Sequence, residues 1–212
     1  MSGRAELVLR KEIVRTMTLL YHKELITPTG GNVSARLAGC DHFWITPSGL
    51  FKGDLKTRDL VKVSLQGRVC VGKLKPSVET PLHSGIYRAR NDACAVIHAH
   101  SPVTLGTALA GVEIKPITPE GVLFVGEVPV VQFDTPGTED LADKVVKMLE
   151  SHQVVVMQNH GAVAVGKNMV EALNRLEILE LTARIMTVAH IWGGTATLSA
   201  SQLEKLKHLA TA

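Results

Sequence analysis

An apolar run with two histidines two residues apart occurs at Val96-Ile97-His98-Ala99-His100-Ser101-Pro102. It predicts a buried strand that carries two histidines and ends where a helix begins. Side chains alternate between the faces of a strand, so His98 and His100 point the same way and can bind one metal ion. Ser101 favours a helix N-cap and Pro102 a first helical position, which places both histidines at the carboxyl end of the strand. The alternative is a pair of core or surface histidines without a metal.

A third histidine lies at a predicted turn. Two β-rich runs within residues 154–166 flank Asn159-His160-Gly161, and this pattern is typical of a hairpin. Three neutral imidazoles with an open fourth position are a common ligand set for catalytic zinc, and they also suit manganese, cobalt or iron. We therefore expect a divalent metal, zinc first, at His98, His100 and His160. The alternative for His160 is a turn residue that bonds its own backbone.

Composition limits the class of protein. A chain of 212 residues, 45% hydrophobic and 20% charged, can bury a sizeable core, and we expect one domain over residues 1–212. The net charge of +3 without a basic run predicts neither a nucleic-acid nor a membrane partner. Cys40, Cys70 and Cys94 form no CxxC pair, which favours reduced thiols and the cytoplasm. No signal-peptide pattern and no apolar run of the ~18 residues that a membrane span needs is present, so we expect a soluble protein.

The apolar pattern predicts alternating helices and strands. Helices are expected near residues 4–24, 77–90, 102–110, 138–151, 169–192 and 200–209. Strands are expected near residues 33–37, 42–46, 60–65, 68–71, 94–100 and 122–133, with a strand, bend and strand over 154–165. This alternation predicts an α/β/α sandwich, and the hairpins argue against an all-parallel sheet.

A carboxylate precedes one of the predicted helices. Lys75-Pro76-Ser77-Val78-Glu79-Thr80-Pro81 leads into the helix that contains His83, so Glu79 is expected in its first turn with His83 one turn later on the same face. Near a divalent metal, Glu79 could ligate the free ion and act as a general acid/base when substrate replaces it. The alternative is a capping glutamate that interacts with the helix dipole.

Two loops of small residues suit a phosphate group. Gly30-Gly31-Asn32-Val33-Ser34 and Thr46-Pro47-Ser48-Gly49 are rich in backbone N–H and hydroxyl donors. Neither matches a P-loop or a dinucleotide fingerprint. The alternative is that both are ordinary turns.

Taken together, these motifs resemble the class II aldolase/adducin-head family, and most closely its L-fuculose-1-phosphate aldolase-like members. The resemblance rests on Gly31-Asn32-Val33-Ser34, Ile45-Thr46-Pro47-Ser48-Gly49, Lys75-Pro76-Ser77-Val78-Glu79, His98-Ala99-His100 and Asn159-His160-Gly161. It covers residues from about 5 to 190, with the motifs in family order. It implies a central, largely antiparallel sheet flanked by helices, and a homotetramer with its sites near subunit interfaces.

The resemblance also implies roles for particular residues. Metal binding falls to His98, His100 and His160, with Glu79 as a further metal ligand and as the catalytic acid/base. Phosphate binding falls to Asn32, Ser48, Gly49 and Ser77. The related methylthioribulose-phosphate dehydratases place an acid/base where Ile117-Thr118-Pro119-Glu120-Gly121 stands, so Glu120 is a second catalytic candidate. The alternative for Glu120 is a simple loop glutamate.

The implied reaction is cleavage of a phosphorylated ketose, like L-fuculose 1-phosphate, to dihydroxyacetone phosphate and an aldehyde through a metal-stabilised enediolate. The enzyme would be a class II, metal-dependent aldehyde-lyase. The alternatives are a sugar-phosphate dehydratase, a decarboxylase, a 4-epimerase, or an adducin-like interaction module without catalysis. A Schiff-base aldolase would need a lysine with a depressed pKa, and five lysines lie in polar or loop-like segments: Lys62, Lys73, Lys75, Lys115 and Lys167.

Two departures from the fuculose-phosphate enzymes bear on specificity. Those enzymes commonly read Pro-Ser-Ser-Glu, whereas this chain has Val78 in place of the second serine. They also close over the aldehyde with tyrosines from the middle and the C-terminal tail, but the tyrosines here are Tyr21 and Tyr87. We therefore do not expect strict fuculose specificity.

Overall fold

A computed structural model of the chain describes residues 2–194 and 197–211. Within these ranges the α-helices are Ser2–His22 (α1), Thr80–Ala89 (α2), Pro102–Leu109 (α3), Glu139–Leu149 (α4), Met169–Ile191 (α5) and Ala200–Thr211 (α6). The strands are Asn32–Ala35 (β1), His42–Ile45 (β2), Val61–Ser64 (β3), Val69–Val71 (β4), Ala95–Ala99 (β5), Val130–Val131 (β6), Val154–Met157 (β7) and Gly161–Gly166 (β8). Short 3₁₀ turns cover Lys52–Asp54 and Thr57–Asp59.

The strands form one sheet in the order β4-β3-β2-β1-β5-β8-β7-β6. Every neighbouring pair is antiparallel except β6 and β7, which are parallel. The expectation of a largely antiparallel central sheet is therefore confirmed. In the middle of the sheet, His98 of β5 lies opposite Asn32 of β1 on one side and Val163 of β8 on the other.

Helices cover both faces of the sheet, and the alternation of side chains divides the core in two. Ile97 of β5 lies in a buried cluster with residues of α1, α3 and α5, whereas its neighbour Val96 lies in the cluster with residues of α2 and α4. This confirms the α/β/α sandwich. Because His98 follows the same alternation as Val96, it faces the α2 side.

The segment expected to be a strand at residues 122–133 is different, and that prediction is wrong for most of its length. Gly121–Val125 forms a π-helical turn, and only Val130–Val131 pairs in the sheet. Gly126 follows the turn at φ +72°, a left-handed conformation that glycine adopts without strain. A short apolar run does not distinguish a strand from a buried turn, and here packing against α5 and α6 decided the outcome.

The start of α3 is held by a distant carboxylate. Ser101 occupies the N-cap position, as expected, but its hydroxyl forms no capping bond. Instead, the buried side chain of Glu180 in α5 accepts hydrogen bonds from the backbone N–H groups of Val103 (3.2 Å) and Thr104 (2.9 Å). The long helix α5 therefore fixes the segment that follows His100.

The longest helices are α1 and α5, with 21 and 23 residues. Along α5, Leu176 and Leu179 are fully buried and Leu173 packs against the same core, whereas Ile185 is 37% exposed. In the part of the chain that the structure describes, no helix combines the length and apolar content needed to cross a bilayer.

Candidate metal centre

Three histidine rings converge at the carboxyl end of β5. His98 is in β5, His100 follows it by two residues, and His160 lies in the turn between β7 and β8. One ring nitrogen from each histidine lies within 4.8 Å of the others. The Nε2 atoms of His98 and His100 are 3.2 Å apart. The structure thus brings together the three residues expected to bind a metal, and it confirms the hairpin that carries His160.

Backbone contacts set the orientation of these rings. Nδ1 of His98 lies 3.1 Å from the carbonyl oxygen of Ala162 and donates its proton there. That hydrogen bond leaves the lone pair of His98 on Nε2, the atom that faces His100. The backbone N–H of His100 donates to the carbonyl of Leu25 at 2.9 Å. These contacts hold the ring of His98 and the main chain of His100 in place.

Two glycines make room for the rings. A Cβ atom on Gly30 would lie 2.8 Å from ring atoms of His100, and one on Gly161 would lie 2.3 Å from the carbonyl oxygen of Ala99 and 3.1 Å from the His98 ring. Real Cβ atoms do not come that close to backbone atoms. Glycine is therefore required at position 161 by a close approach, and Gly30 gives His100 its place.

Burial keeps the histidines neutral. It lowers the pKa of His98 well below its ordinary value, with further lowering by His160 and His100. Burial also lowers the pKa of His100, and it lowers the pKa of His160 to about 4, with a smaller contribution from His100. Neutral imidazole is the form that binds a metal ion, so these shifts favour ligation at neutral pH.

Glu79 is the carboxylate nearest the cluster. It lies at the N-cap position of α2, one residue before the expected first turn, and is 3% exposed. Its Oε1 atom lies 3.8 Å from Nε2 of His160, and neither carboxylate oxygen accepts a hydrogen bond from the described residues. Burial raises the pKa of Glu79 to about 7, and the backbone N–H of Gly137 acts in the opposite direction.

The donor set fits a divalent ion. Nε2 of His98, which carries a lone pair, lies 3.2 Å from Nε2 of His100, and a cation would be bound by both atoms when His100 holds its proton on Nδ1. The ligands of a tetrahedral zinc with bonds of about 2.0–2.1 Å lie about 3.3 Å apart, close to this separation. Nδ1 of His160 and both oxygens of Glu79 are also buried without a partner among the described residues. Buried polar atoms normally have partners, and a divalent ion at this place would provide one.

The two loops with candidate phosphate donors lie side by side. The backbone N–H of Ser48 donates to the carbonyl of Lys75, and the N–H of Ser77 donates to the carbonyl of Thr46. The Ser77 Oγ atom accepts from the N–H of Glu79 at 3.3 Å, so its own proton remains available. Val33, next to Asn32, exchanges hydrogen bonds with Thr46. The structure therefore brings Asn32, Ser48, Gly49 and Ser77 to one end of the sheet, while their binding role stays a prediction.

The fold and the site now allow comparison with known proteins. A sequence model of the class II aldolase and adducin N-terminal domain matches residues 11–187. The chain belongs to this family. It is 35% identical over 176 residues to L-fuculose phosphate aldolase of Methanocaldococcus jannaschii, which covers 83% of this chain and 94% of that protein. It is also 35% identical over 184 residues to 3-oxo-tetronate 4-phosphate decarboxylase of Pectobacterium atrosepticum, which covers 84% of each. A solved L-fuculose 1-phosphate aldolase superposes with a TM-score of 0.89 at 28% identity over 96% of both chains.

These matches confirm the family and the fold. Class II aldolases depend on a metal ion, and the histidine cluster is where this chain could hold one. The relatives are named for two different reactions on phosphorylated substrates, an aldol cleavage and a decarboxylation. Family membership therefore identifies an enzyme scaffold without choosing between those reactions.

The second catalytic candidate in this class II aldolase family member is Glu120. Glu120 is exposed and immediately precedes the π-helical turn Gly121–Val125. In the described part of the chain, no hydrogen bond or ion pair joins it to His98, His100 or His160. Its catalytic role remains a prediction that this arrangement does not favour.

Sequence reasoning missed one buried lysine. Lys52 is 2% exposed, and its Nζ atom donates a hydrogen bond to the carbonyl oxygen of Pro47, beside Ser48. Burial lowers its pKa to about 8. The local sequence Leu50-Phe51-Lys52-Gly53-Asp54 gives little sign of this, because burial arises from the way the 3₁₀ turn folds under the loop. The apolar neighbours Leu50 and Phe51 were the available signal.

Proposed function

We propose that the protein is a metal-dependent aldehyde-lyase that cleaves a phosphorylated ketose, like L-fuculose 1-phosphate, into dihydroxyacetone phosphate and an aldehyde. One observation carries this proposal. The buried carboxylate of Glu79 lies 3.8 Å from His160 in a cluster of three neutral histidines, and its oxygens have no partner among the described residues. An acid/base next to a cation site is what a retro-aldol cleavage requires.

The histidines would hold the ion. His98 and His100 offer their Nε2 atoms and His160 offers a ring nitrogen, which leaves further positions open for substrate oxygens. A bound divalent ion, zinc first with manganese, cobalt or iron as alternatives, supplies positive charge where negative charge develops on the substrate as the carbon–carbon bond breaks. His98 needs no change of tautomer, because the Ala162 carbonyl already accepts the proton of its Nδ1 atom.

Glu79 would move the proton. A carboxyl group with a pKa of about 7 exchanges a proton readily at neutral pH. In the cleavage direction the Glu79 carboxylate takes the proton of the hydroxyl on the carbon that becomes the aldehyde. As the carbon–carbon bond breaks, the three-carbon fragment keeps the electron pair, and Glu79 returns the proton to that carbon to complete dihydroxyacetone phosphate. In the reverse direction the Glu79 carboxylate removes the same proton.

The loops would anchor the phosphate. The hydroxyl groups of Ser48 and Ser77, the backbone N–H of Gly49 and the Asn32 amide form no other hydrogen bond as donors among the described residues. Binding energy from the phosphate would then position the reacting carbons. Val78 is 54% exposed, and it offers an apolar side chain where the fuculose-phosphate enzymes commonly carry a serine.

The second candidate is decarboxylation of a phosphorylated keto acid. It is favoured by the similarity to 3-oxo-tetronate 4-phosphate decarboxylase, which equals the similarity to the aldolase at 35% identity. Loss of carbon dioxide leaves the same kind of negative charge beside a carbonyl group, so the same ion site serves both reactions. A dehydratase with Glu120 as acid/base and a 4-epimerase are weaker alternatives. An adducin-like module is disfavoured because the three histidines converge.

We further propose a cytoplasmic homotetramer with sites near subunit interfaces. An apolar surface on α5 and its C-cap supports a subunit contact, because Leu181, Val188 and the C-cap residue Trp192 are 54%, 55% and 86% exposed. Apolar surface of this kind is typical of association. Light scattering after gel filtration measures the mass directly, and a monomer would contradict the assembly while leaving the chemistry open.

A substrate panel tests the function. The metal-loaded protein is incubated with phosphorylated ketoses and phosphorylated keto acids, and the products are identified by mass spectrometry. Dihydroxyacetone phosphate with an aldehyde supports the aldolase. Carbon dioxide from a keto acid, without dihydroxyacetone phosphate from any ketose, supports the decarboxylase and contradicts the aldolase. Each phosphorylated ketose is paired with its unphosphorylated form, which should react far more slowly if the loops bind phosphate.

A further inference from the structure

A chain of buried hydrogen bonds runs from α2 into β1 and ends at Asn32. The Tyr87 hydroxyl lies 2.8 Å from Ser34 Oγ, which lies 2.6 Å from His83 Nδ1. On the other side of the ring, His83 Nε2 lies 2.5 Å from Asn32 Oδ1. Ser34, His83 and Tyr87 are at most 1% exposed and Asn32 is 4% exposed, so water does not compete for these bonds.

The direction of donation along this series of hydrogen bonds is set by Tyr87. Among residues 2–194 and 197–211, Ser34 Oγ is the acceptor available to the Tyr87 O–H group. The backbone N–H of Val96 interacts with the phenol oxygen as a donor, so it cannot accept the Tyr87 proton. A buried O–H group without an acceptor is costly, so Tyr87 donates to Ser34. The Ser34 hydroxyl then has its own proton to give, and it donates to Nδ1 of His83.

Neutral His83 passes this direction on. Burial lowers the pKa of His83 to about 3, so the ring carries one proton at neutral pH. Because Nδ1 accepts from Ser34, that proton is on Nε2, and Nε2–H donates to the amide of Asn32. Only the oxygen of an amide accepts a hydrogen bond. These hydrogen bonds therefore place Oδ1 of Asn32 toward His83 and the NH2 group on the side away from His83.

We infer that Tyr87, Ser34 and His83 are positioning residues that fix the amide of Asn32 so that its NH2 group faces the phosphate of the substrate. The inference rests on the proposed phosphate site at the Ser48 and Ser77 loops. The reversed amide would present an oxygen, which repels an anion, so the direction of the chain decides whether Asn32 attracts or rejects phosphate. None of the three positioning residues needs to touch the ligand.

The tautomer of His83 tests the direction of the chain without any ligand. In the metal-loaded protein, long-range 1H–15N correlation spectra distinguish a proton on Nε2 from one on Nδ1. The expected result is a proton on Nε2 of His83, and Tyr87→Phe should allow both tautomers, because Ser34 no longer receives a hydrogen bond and can turn. A proton on Nδ1 in the unmodified protein overturns the inference, whatever binds at the loops.

Phosphate affinity tests the consequence for binding. Inorganic phosphate is titrated into metal-loaded protein, and the dissociation constant is measured by calorimetry. Asn32→Asp keeps an acceptor for His83 but replaces the NH2 donor by a negative oxygen, so affinity should fall about tenfold or more. Tyr87→Phe should weaken binding about threefold. Tyr21→Phe is the matched control, because Tyr21 packs against Phe51 and takes no part in these hydrogen bonds. The phosphate affinity of this variant should not change.

Two results contradict the inference. Unchanged phosphate affinity in folded Tyr87→Phe, or in Asn32→Asp, shows that the amide is not oriented for the anion. If the unmodified protein fails to bind phosphate, the proposed phosphate site itself fails. The His83 tautomer still decides the direction of donation along the hydrogen bonds from Tyr87 to Asn32. Near-ultraviolet circular dichroism confirms that each variant is folded before its affinity is compared.

Discussion

Oε1 of Glu79 lies 3.8 Å from Nε2 of His160, although the two residues belong to separate sequence motifs. The carboxylate sits before α2 and the imidazole in the β7–β8 turn. Both groups are buried, and burial acts on them in opposite directions, raising the pKa of Glu79 to about 7 and lowering that of His160 to about 4. Desolvation alone therefore favours the protonated carboxyl group of Glu79 and the neutral imidazole of His160 next to each other.

The first prediction concerns the metal. His160→Ala should lose the bound ion, because two imidazoles remain where the site provides three. Elemental analysis of the purified protein should give about one ion per chain for the unmodified protein and for His190→Ala, an exposed histidine on α5. A full complement of metal in His160→Ala would remove this residue from the site.

The second prediction separates proton transfer from metal binding. Glu79→Gln keeps the size of the side chain but removes the base, so turnover should fall roughly 10²- to 10⁴-fold while most of the metal stays bound. Steady-state rates and elemental analysis on the same preparation measure the two effects. Glu120→Gln is the matched variant and should retain nearly full turnover. If the two variants exchange these results, the acid/base is Glu120.

The third prediction distinguishes a metal enzyme from a Schiff-base enzyme. A chelator should abolish cleavage, and zinc, manganese or cobalt should restore it. Borohydride added with substrate should leave no covalent adduct, because the Nζ atom of the one buried lysine with a depressed pKa in the described ranges, Lys52, points at the Pro47 carbonyl. Mass spectrometry detects an adduct directly. A borohydride-trapped adduct on Lys52, absent in Lys52→Met, would contradict the metal mechanism.

The fourth prediction concerns stability against pH. Burial lowers the pKa of Lys52 to about 8 in the folded protein, below the ordinary 10.5. Between these values the unfolded chain binds more protons than the folded one, so this group makes the free energy of unfolding rise with pH, by about 3 kcal/mol over the whole interval. Urea unfolding at pH 7.5, 8.5 and 9.5 should show this rise in the unmodified protein and in Lys73→Met, an exposed control. The same slope in Lys52→Met would show that Lys52 is not the cause.

The fifth prediction concerns the carboxylate that caps α3. Glu180→Ala leaves the N–H groups of Val103 and Thr104 without their acceptor, which should lower the free energy of unfolding by about 1–3 kcal/mol. Glu177→Ala, on the same helix, removes only an exposed ion pair with Lys23 and should cost less than about 1 kcal/mol. Equal losses in the two variants would show that the capping bonds add nothing.

The candidate site could be predicted from the sequence where its geometry is local. The period of two in a strand placed His98 and His100 together, and the flanking apolar runs placed His160 in a hairpin turn. The order of the motifs, through the family resemblance, added Glu79. These features depend on neighbouring residues, so the sequence contains them directly.

The remaining features depend on contacts between distant segments. Glu180 caps a helix that starts 78 residues earlier. Nothing in the sequence near Ser101 indicates that Glu180, rather than the Ser101 hydroxyl, accepts the hydrogen bonds of the first helical turn. Lys52 is buried by the fold of its own loop. The apolar run at residues 122–125 fits a strand as well as a π-helical turn, and packing against α5 decides between them. Such outcomes follow from tertiary structure, which local patterns do not specify.

The histidines and the loops differ in how they are built into the sheet. His98 belongs to β5, near the middle of the eight-stranded sheet, so its amide proton should exchange with solvent only when the whole protein unfolds. Residues 46–49 and 117–121 lie outside the strands and can exchange through local opening. Under the proposed function, mutations in those loops would change which sugar phosphate is accepted while the histidines stay in place, so related chains would share an ion site and differ in substrate.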